Sequence, residues 1–207
     1  MLTGIIDYGS GNFTSVFNAV SLVTNHIQIV TSQKDFAKCD RIILPGVGAF
    51  KHAIEKLESL NIVDELKHEV LEMKKPFLGI CVGMQILAER GFEFEEVKGI
   101  GLVRGDVCKY NFSDNQELLL PHIGWNSVSG FEANPLFKEI DEKDADFYFV
   151  NSYHLVSEDK AARFTYTNYG YDFISAFQKE NIFGVQFHPE KSQHNGLKIL
   201  KNFINYA

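Results

Sequence analysis

Basic charge is in short supply in this sequence. Lys and Arg number 20 against 27 Asp and Glu in 207 residues, a formal net charge of −7. A phosphate backbone is gripped by clustered cations, and here the cations are interleaved with acids, so no nucleic-acid partner is expected. Cysteine is scarce as well: Cys39, Cys81 and Cys108 are an odd number, far apart, with no C-x-x-C spacing. A chain of this length buries a core large enough to do without covalent staples, so reduced thiols are expected. No apolar run approaches the roughly 18 residues of a membrane span, and "MLTGIIDYGSGN" lacks the cationic-then-apolar profile of a secretion signal. These absences point to a cytoplasmic chain without membrane contact. No charge block, low-complexity tract, internal repeat or linker interrupts it, and one ordered domain over residues 1–207 is expected.

What is present is an alternation of apolar runs and helical patterns through the first half. "LTGIID", "HIQIV", "RIILPG" and "PFLGI" read as buried strands. Val16, Val20 and Val23 share one helical face, as do Ile54, Leu57, Val63, Leu66, Val70 and Met73, and a further helix is expected through Met84, Ile86, Leu87 and Glu89. Strands alternating with helices imply a parallel sheet with crossover helices. From about residue 100 to 187 the pattern changes to short aromatic strands and turns. "FYFVNSYHL", "RFTYTNYG", "FISAFQ" and "IFGVQFHPE" read as a mostly antiparallel extension, closed by a helix with Leu197, Leu200, Phe203 and Ile204 inward. The predicted fold is α/β: a mostly parallel central sheet flanked by helices, with an antiparallel β-rich extension.

The chemistry concentrates at Gly79-Ile80-Cys81-Val82-Gly83. A strand turning sharply into a helix holds its central residue in a strained conformation with the side chain projecting, and flanking glycines let neighbouring backbone approach. There a thiol meets the positive end of a helix and free N–H groups. Cys81 is therefore a candidate nucleophile, set against the plain alternative of a buried small hydrophobe. Its candidate base is His188 in "GVQFHPEKS". Glu190, two residues on, projects to the same side of an extended chain and can fix the imidazole tautomer. Cys81 and His188 both fall at carboxyl ends of strands, where reactive groups gather in open α/β sheets. In Gly46-Val47-Gly48 the Val47 N–H is a candidate oxyanion donor beside that of Val82. "HPE" fits part of a zinc deaminase signature, but P-C-x-x-C and H-E-x-x-H are absent, and neither "GSGN" nor "PGVG" completes a phosphate loop; no metal or cofactor is expected.

G-I-C-V-G-M-Q together with F-H-P-E resembles the class I, triad-type glutamine amidotransferases, whose domain is flavodoxin-like. "IDYGSGN", "LPGVGAF", "LGICVGMQ", "PHIGWN", "YFVNSYH" and "GVQFHPEKSQ", in order across residues 6–193, are similar to the branch of that family that serves as glutaminase subunits of imidazole glycerol phosphate synthase. The resemblance implies hydrolysis of L-glutamine to glutamate and ammonia through a Cys81-His188-Glu190 triad and a γ-glutamyl thioester. It implies substrate contacts at Gly48, Gln85, Ser152 and Tyr153. It also implies a heterodimer with a (β/α)8-barrel cyclase that turns the ammonia into imidazole glycerol phosphate and an aminoimidazole carboxamide ribotide, in histidine biosynthesis. Asn12, His122, Trp125 and Asn126 match segments that face that barrel. Val82, Asn151 and the stretch "AERGFEFEEVKG" depart from the branch's usual pattern and leave open an alternative in which the same glutaminase feeds a paralogous synthase that amidinates bacterial surface sugars. A cysteine peptidase or γ-glutamyl hydrolase acting alone, and a non-catalytic subunit on the same fold, are the readings from other classes.

Overall fold

A computed structural model describes residues 1–112 and 118–206. Residues 113–117 and 207, which the single-domain expectation spans, lie outside them. The parallel half runs β1 (Thr3–Ile6), α1 (Phe13–Ser21), β2 (Ile27–Val30), α2 (Gln33–Phe36), β3 (Arg41–Leu44), α3 (Phe50–Ser59), α4 (Val63–Lys67), β4 (Phe77–Ile80) and α5 (Val82–Gln85). The second half runs β5 (Arg90–Gly91), β6 (Val97–Lys98), β7 (Asp106–Lys109), β8 (His122–Ser127), β9 (Asp146–Asn151), β10 (Tyr153–Val156), β11 (Arg163–Asn168), β12 (Asp172–Lys179), β13 (Ile182–Val185) and α6 (Gln193–Ile204).

The main sheet has the order β2-β1-β3-β4-β13-β12-β10-β7-β5-β6, with β11 added against β12. From β2 to β13 every neighbouring pair is parallel. β12 then reverses the direction, and β12, β10 and β7 pair antiparallel. β1, β3, β4 and β13 are buried at every position, which is why, apart from Thr3 and Arg41 at their starts, they read as apolar runs: both faces of a parallel sheet are covered. The helices pack in pairs, α1 with α6, α2 with α4 and α3 with α5. Arg41, buried in β3, donates to the carbonyls of Phe203 and Tyr206 and so ties the end of α6 to the sheet.

Several elements differ from the sequence reading. The closing strand "IFGV" belongs to the parallel core as much as to the extension, because β13 sits parallel beside β4 and antiparallel beside β12. "FYFVNSYHL" is two strands broken at Ser152; β9 leaves the main sheet to form a separate antiparallel ribbon with β8, and β10 returns to it. The expected helix through Glu89 is a single turn. The carbonyls of Ile86, Leu87 and Ala88 accept from Ile100, Leu102, Val103 and Gly101 instead of continuing the helical ladder. α1 stops before Val23. The segment after α4 winds as a π-turn over His68–Glu72 and ends at Lys74, whose φ is +54°, leaving Met73 exposed. Among the described residues no helix is long and apolar enough to cross a membrane.

Candidate active site

The carboxyl ends of β1, β3, β4 and β13 deliver, in turn, Asn12, the Gly46-Val47-Gly48 loop, Cys81 and His188 to one place. Cys81 has φ +53° and ψ −111°, a conformation that is uncommon outside glycine and costs about 1–3 kcal/mol. The close packing that over-determines it comes from the flanking glycines. A Cβ at Gly79 would lie 2.6 Å from the Gly83 carbonyl oxygen, and one at Gly83 would collide with that of Leu44. The Cys81 amide donates to the Val185 carbonyl at 2.8 Å, carrying the β4–β13 ladder one residue past the strands and aligning Cys81 with Gln186. Since α5 is one turn, the thiol's surroundings are set by individual N–H groups, not by a long helix dipole.

His188 Nδ1 lies 2.8 Å from Glu190 Oε1. The pair meets through a 3-10 turn at Pro189–Lys191, not through the extended chain expected from the sequence. Asn12 Nδ2 donates to the same Glu190 oxygen at 3.1 Å, and Ser10 Oγ donates to Asn12 Oδ1, which fixes the way the Asn12 amide faces. The turn is pinned to β9: the His188 amide donates to the Tyr148 carbonyl, and Ser192 Oγ donates to the His188 carbonyl while accepting from the Tyr148 amide. Burial works against a charged His188, but the Cys81 sulfur and the Glu190 carboxylate outweigh it and raise the imidazole pKa to about 10. Burial alone would raise Glu190; its hydrogen bond and charge interaction with His188 and the Asn12 amide win and hold it low. In contrast, burial pushes Cys39 up to about 11 and raises Cys108, and neither has a base.

A cleft of about 240 Å³ opens over this group, of a size for an amino-acid side chain instead of a drug-sized ligand. It is lined by Val47, Gly48, Cys81, Val82, Gln85, Ser152, Tyr153 and His188, bringing together residues chosen from distant stretches of the sequence. Glu93, Asn151 and Lys191 join them, and Glu93 also accepts from the Phe50 amide at 2.9 Å, capping α3. Nothing in the acidic stretch around Glu93 singled it out. Gln186 was missed although a signal existed, since it precedes His188 by two residues and so shares its side of an extended chain. The oxyanion donors are not assembled. The Val82 amide donates to the Gly46 carbonyl at 3.2 Å, which turns the N–H of the same Gly46–Val47 peptide away.

The expected partner-facing residues divide. Trp125 is 48% exposed on the outer face of the β8–β9 ribbon, and Asn126 is partly exposed. Asn12 and His122 are 5% and 3% exposed, so neither presents its side chain to an outside surface. Asn12 supports Glu190, and His122 lies on the ribbon's inner face, stacked on Phe149 and Tyr169. Among the described residues no group of three or more His, Cys, Asp or Glu is arranged to hold a metal ion.

The family described as glutamine amidotransferase class-I matches residues 4–206. A relative named imidazole glycerol phosphate synthase subunit HisH 1, from Campylobacter jejuni strain RM1221, is 43% identical over 203 residues, 98% of this chain and 99% of that protein. Proteins named imidazole glycerol phosphate synthase subunit HisH from Leptospira borgpetersenii and Methanocaldococcus jannaschii are 43% and 45% identical, each over at least 98% of both chains. Among solved structures, a glutamine amidotransferase aligns with a TM-score of 0.73 at 16% identity, covering 99% of this chain and 97% of its own. PurLQS from Thermotoga maritima aligns at 0.71 and 18%, covering 99% and 97%. Likenesses at that identity speak to the fold alone.

Proposed function

The chain belongs to the class I glutamine amidotransferases, and on that footing we propose that it hydrolyses L-glutamine to glutamate and ammonia as the glutaminase subunit of imidazole glycerol phosphate synthase, in histidine biosynthesis. Full-length relatives bearing that subunit's name at 43–45% identity favour this pathway over amidination of surface sugars. A subunit implies a partner, and the partner we infer is the (β/α)8-barrel cyclase that consumes the ammonia.

The observation that carries the chemistry is the strained Cys81 beside a buried His188 whose Nδ1 is held by Glu190 at 2.8 Å. Cys81 Sγ, its proton passed to His188, attacks the carboxamide carbon of glutamine, and the carbonyl oxygen becomes an oxyanion. As the tetrahedral adduct collapses, the C–N bond breaks and His188 gives its proton to the departing nitrogen, releasing ammonia and leaving a γ-glutamyl thioester. Water, deprotonated by His188, adds to the thioester; the C–S bond breaks and glutamate leaves. Glu190 accepts from Nδ1–H throughout and stabilises the imidazolium. Both amide hydrogens of Gln85 are engaged, by the Tyr153 carbonyl and Gln186 Oε1, so Gln85 meets the substrate through its oxygen, as an acceptor.

The test is glutamine turnover by the purified chain, alone and with the histidine-pathway cyclase. Stimulated hydrolysis with ammonia transferred into the cyclase product is expected. Turnover of γ-glutamyl peptides without a partner would instead place the chain among stand-alone hydrolases, and Cys81→Ala retaining activity would remove the nucleophile.

A further inference from the structure

We propose that Gln186 is a positioning residue for the Cys81 nucleophile, holding an amide N–H against the sulfur through a relay whose direction is set by the backbone carbonyl of Tyr153. This rests on Cys81 being the nucleophile.

Gln186 is fully buried, one residue beyond the end of β13. Its Nε2 lies 3.6 Å from Cys81 Sγ, and its Oε1 accepts from Gln85 Nε2 at 3.0 Å. Gln85 Nε2 donates its other hydrogen to the Tyr153 carbonyl at 2.9 Å. A primary amide can face either way, but a backbone carbonyl can only accept. Tyr153 therefore requires the nitrogen of Gln85 on its side, and Gln85, donating onward, requires the oxygen of Gln186. The nitrogen of Gln186 is left facing the sulfur. Reversing Gln186 would set donor against donor at Gln85 and a carbonyl oxygen against the thiol. A donor at Sγ favours thiolate over thiol and anchors its rotamer, and at a fully buried amide the interaction is little screened.

The relay also accounts for a buried glutamine at the end of an apolar strand. A carboxamide buried there without partners would be costly, and both its ends are used.

The experiment is the pH dependence of Cys81 alkylation by iodoacetamide in the full-length chain, read at Cys81 by peptide mass, together with kcat and KM for glutamine in the cyclase complex. Gln186→Met conserves volume and removes the donor. The alkylation midpoint should rise by roughly one pH unit, the difference worth of a charge-assisted hydrogen bond, with kcat falling about tenfold and KM little changed. Should the Met variant not fold, Gln186→Leu likewise removes the donor without adding charge, and the same rise is expected. Gln85→Met, which donates to neither neighbour and adds no charge, should raise the midpoint without touching the sulfur. An unchanged midpoint in a folded Gln186→Met or Gln186→Leu chain overturns the proposal and leaves the glutaminase reading standing. That reading fails separately, if Cys81→Ala still hydrolyses glutamine.

Discussion

The Val82 amide is hydrogen bonded to the Gly46 carbonyl at 3.2 Å, so the backbone itself occupies the position where an oxyanion would need a donor. Rotating the Gly46–Val47 peptide would free the Val82 N–H and swing the Val47 N–H toward the cleft at once. Removal of one oxyanion donor costs roughly 10²–10³-fold in kcat. The isolated chain should therefore hydrolyse glutamine at least about 100-fold more slowly than the cyclase complex, with most of the difference in kcat. Alkylation of Cys81 forms no oxyanion and should proceed in both states. Equal kcat with and without the partner would show that the loop does not limit turnover.

The triad geometry ranks its members. Cys81→Ala and Cys81→Ser should abolish turnover while leaving cyclase binding intact. His188→Ala removes proton transfer and should cost roughly 10²–10⁴-fold. Glu190→Gln removes only the group that orients and charges the imidazole, and its loss in kcat at neutral pH should be smaller; an equal or larger loss would mean that Glu190 does more than hold His188.

The same pair fixes a pH dependence. His188 titrates near 10, above its ordinary value, because Cys81 and Glu190 favour the imidazolium over the opposing effect of burial. The proton donated to the departing ammonia is thus present through neutrality and is lost as pH rises through about 10. In Glu190→Gln the carboxylate's share of that stabilisation is gone, and the alkaline limb of kcat/KM, which reports the free enzyme, should move down by about one to three units, the usual effect of a close opposite charge. A limb that stays in place would separate it from His188.

How much of this was legible depended on the range of the forces involved. Gly79, Cys81 and Gly83 announce their geometry because strand, turn and close approach are local, and His188 and Glu190 are two residues apart. The parallel core was readable from the fully buried runs of β1, β3 and β4, whereas β13, buried as completely, was read into the extension. Asn12 behind Glu190 was not, because a hydrogen bond spanning 178 residues leaves no periodic trace. Nor was the early end of α5, which is decided by backbone hydrogen bonds from the loop near residue 100. The break at Ser152 hides inside a run whose composition is that of one strand.

Packing at the elbow gives a stability prediction. A methyl group at Gly83 would collide with the Leu44 carbonyl and crowd Pro45, and backbone atoms have less room to yield than a side chain. Gly83→Ala should lower unfolding stability by about 1–3 kcal/mol or more, the range for overpacked cores. Gly9, where a Cβ would meet nothing within 4 Å, is a site without such a collision, although its φ of +83° disfavours a side chain. Denaturant unfolding of Gly83→Ala with an unchanged midpoint would mean that α5 can shift away from β3.

The outer face of the β8–β9 ribbon tests the partner surface. Trp125 pairs in register with Tyr148 and meets it edge-on, ring centroids 6.0 Å apart, and beside it Ile123 is 60% exposed. The ring lies outside the cleft, but Tyr148 connects it to the site, since its carbonyl holds the His188 amide. A half-exposed tryptophan paired in register on a ribbon has the features of an interface anchor, and truncating an anchor typically costs about 2 kcal/mol or more. Trp125→Ala should weaken cyclase binding by about 30-fold, that energy expressed as a ratio of dissociation constants, while alkylation of Cys81 in the free chain is unchanged. Slower alkylation in the free variant would mean that the ring supports the His188 turn from behind, and unchanged cyclase affinity would move the partner surface elsewhere on the chain.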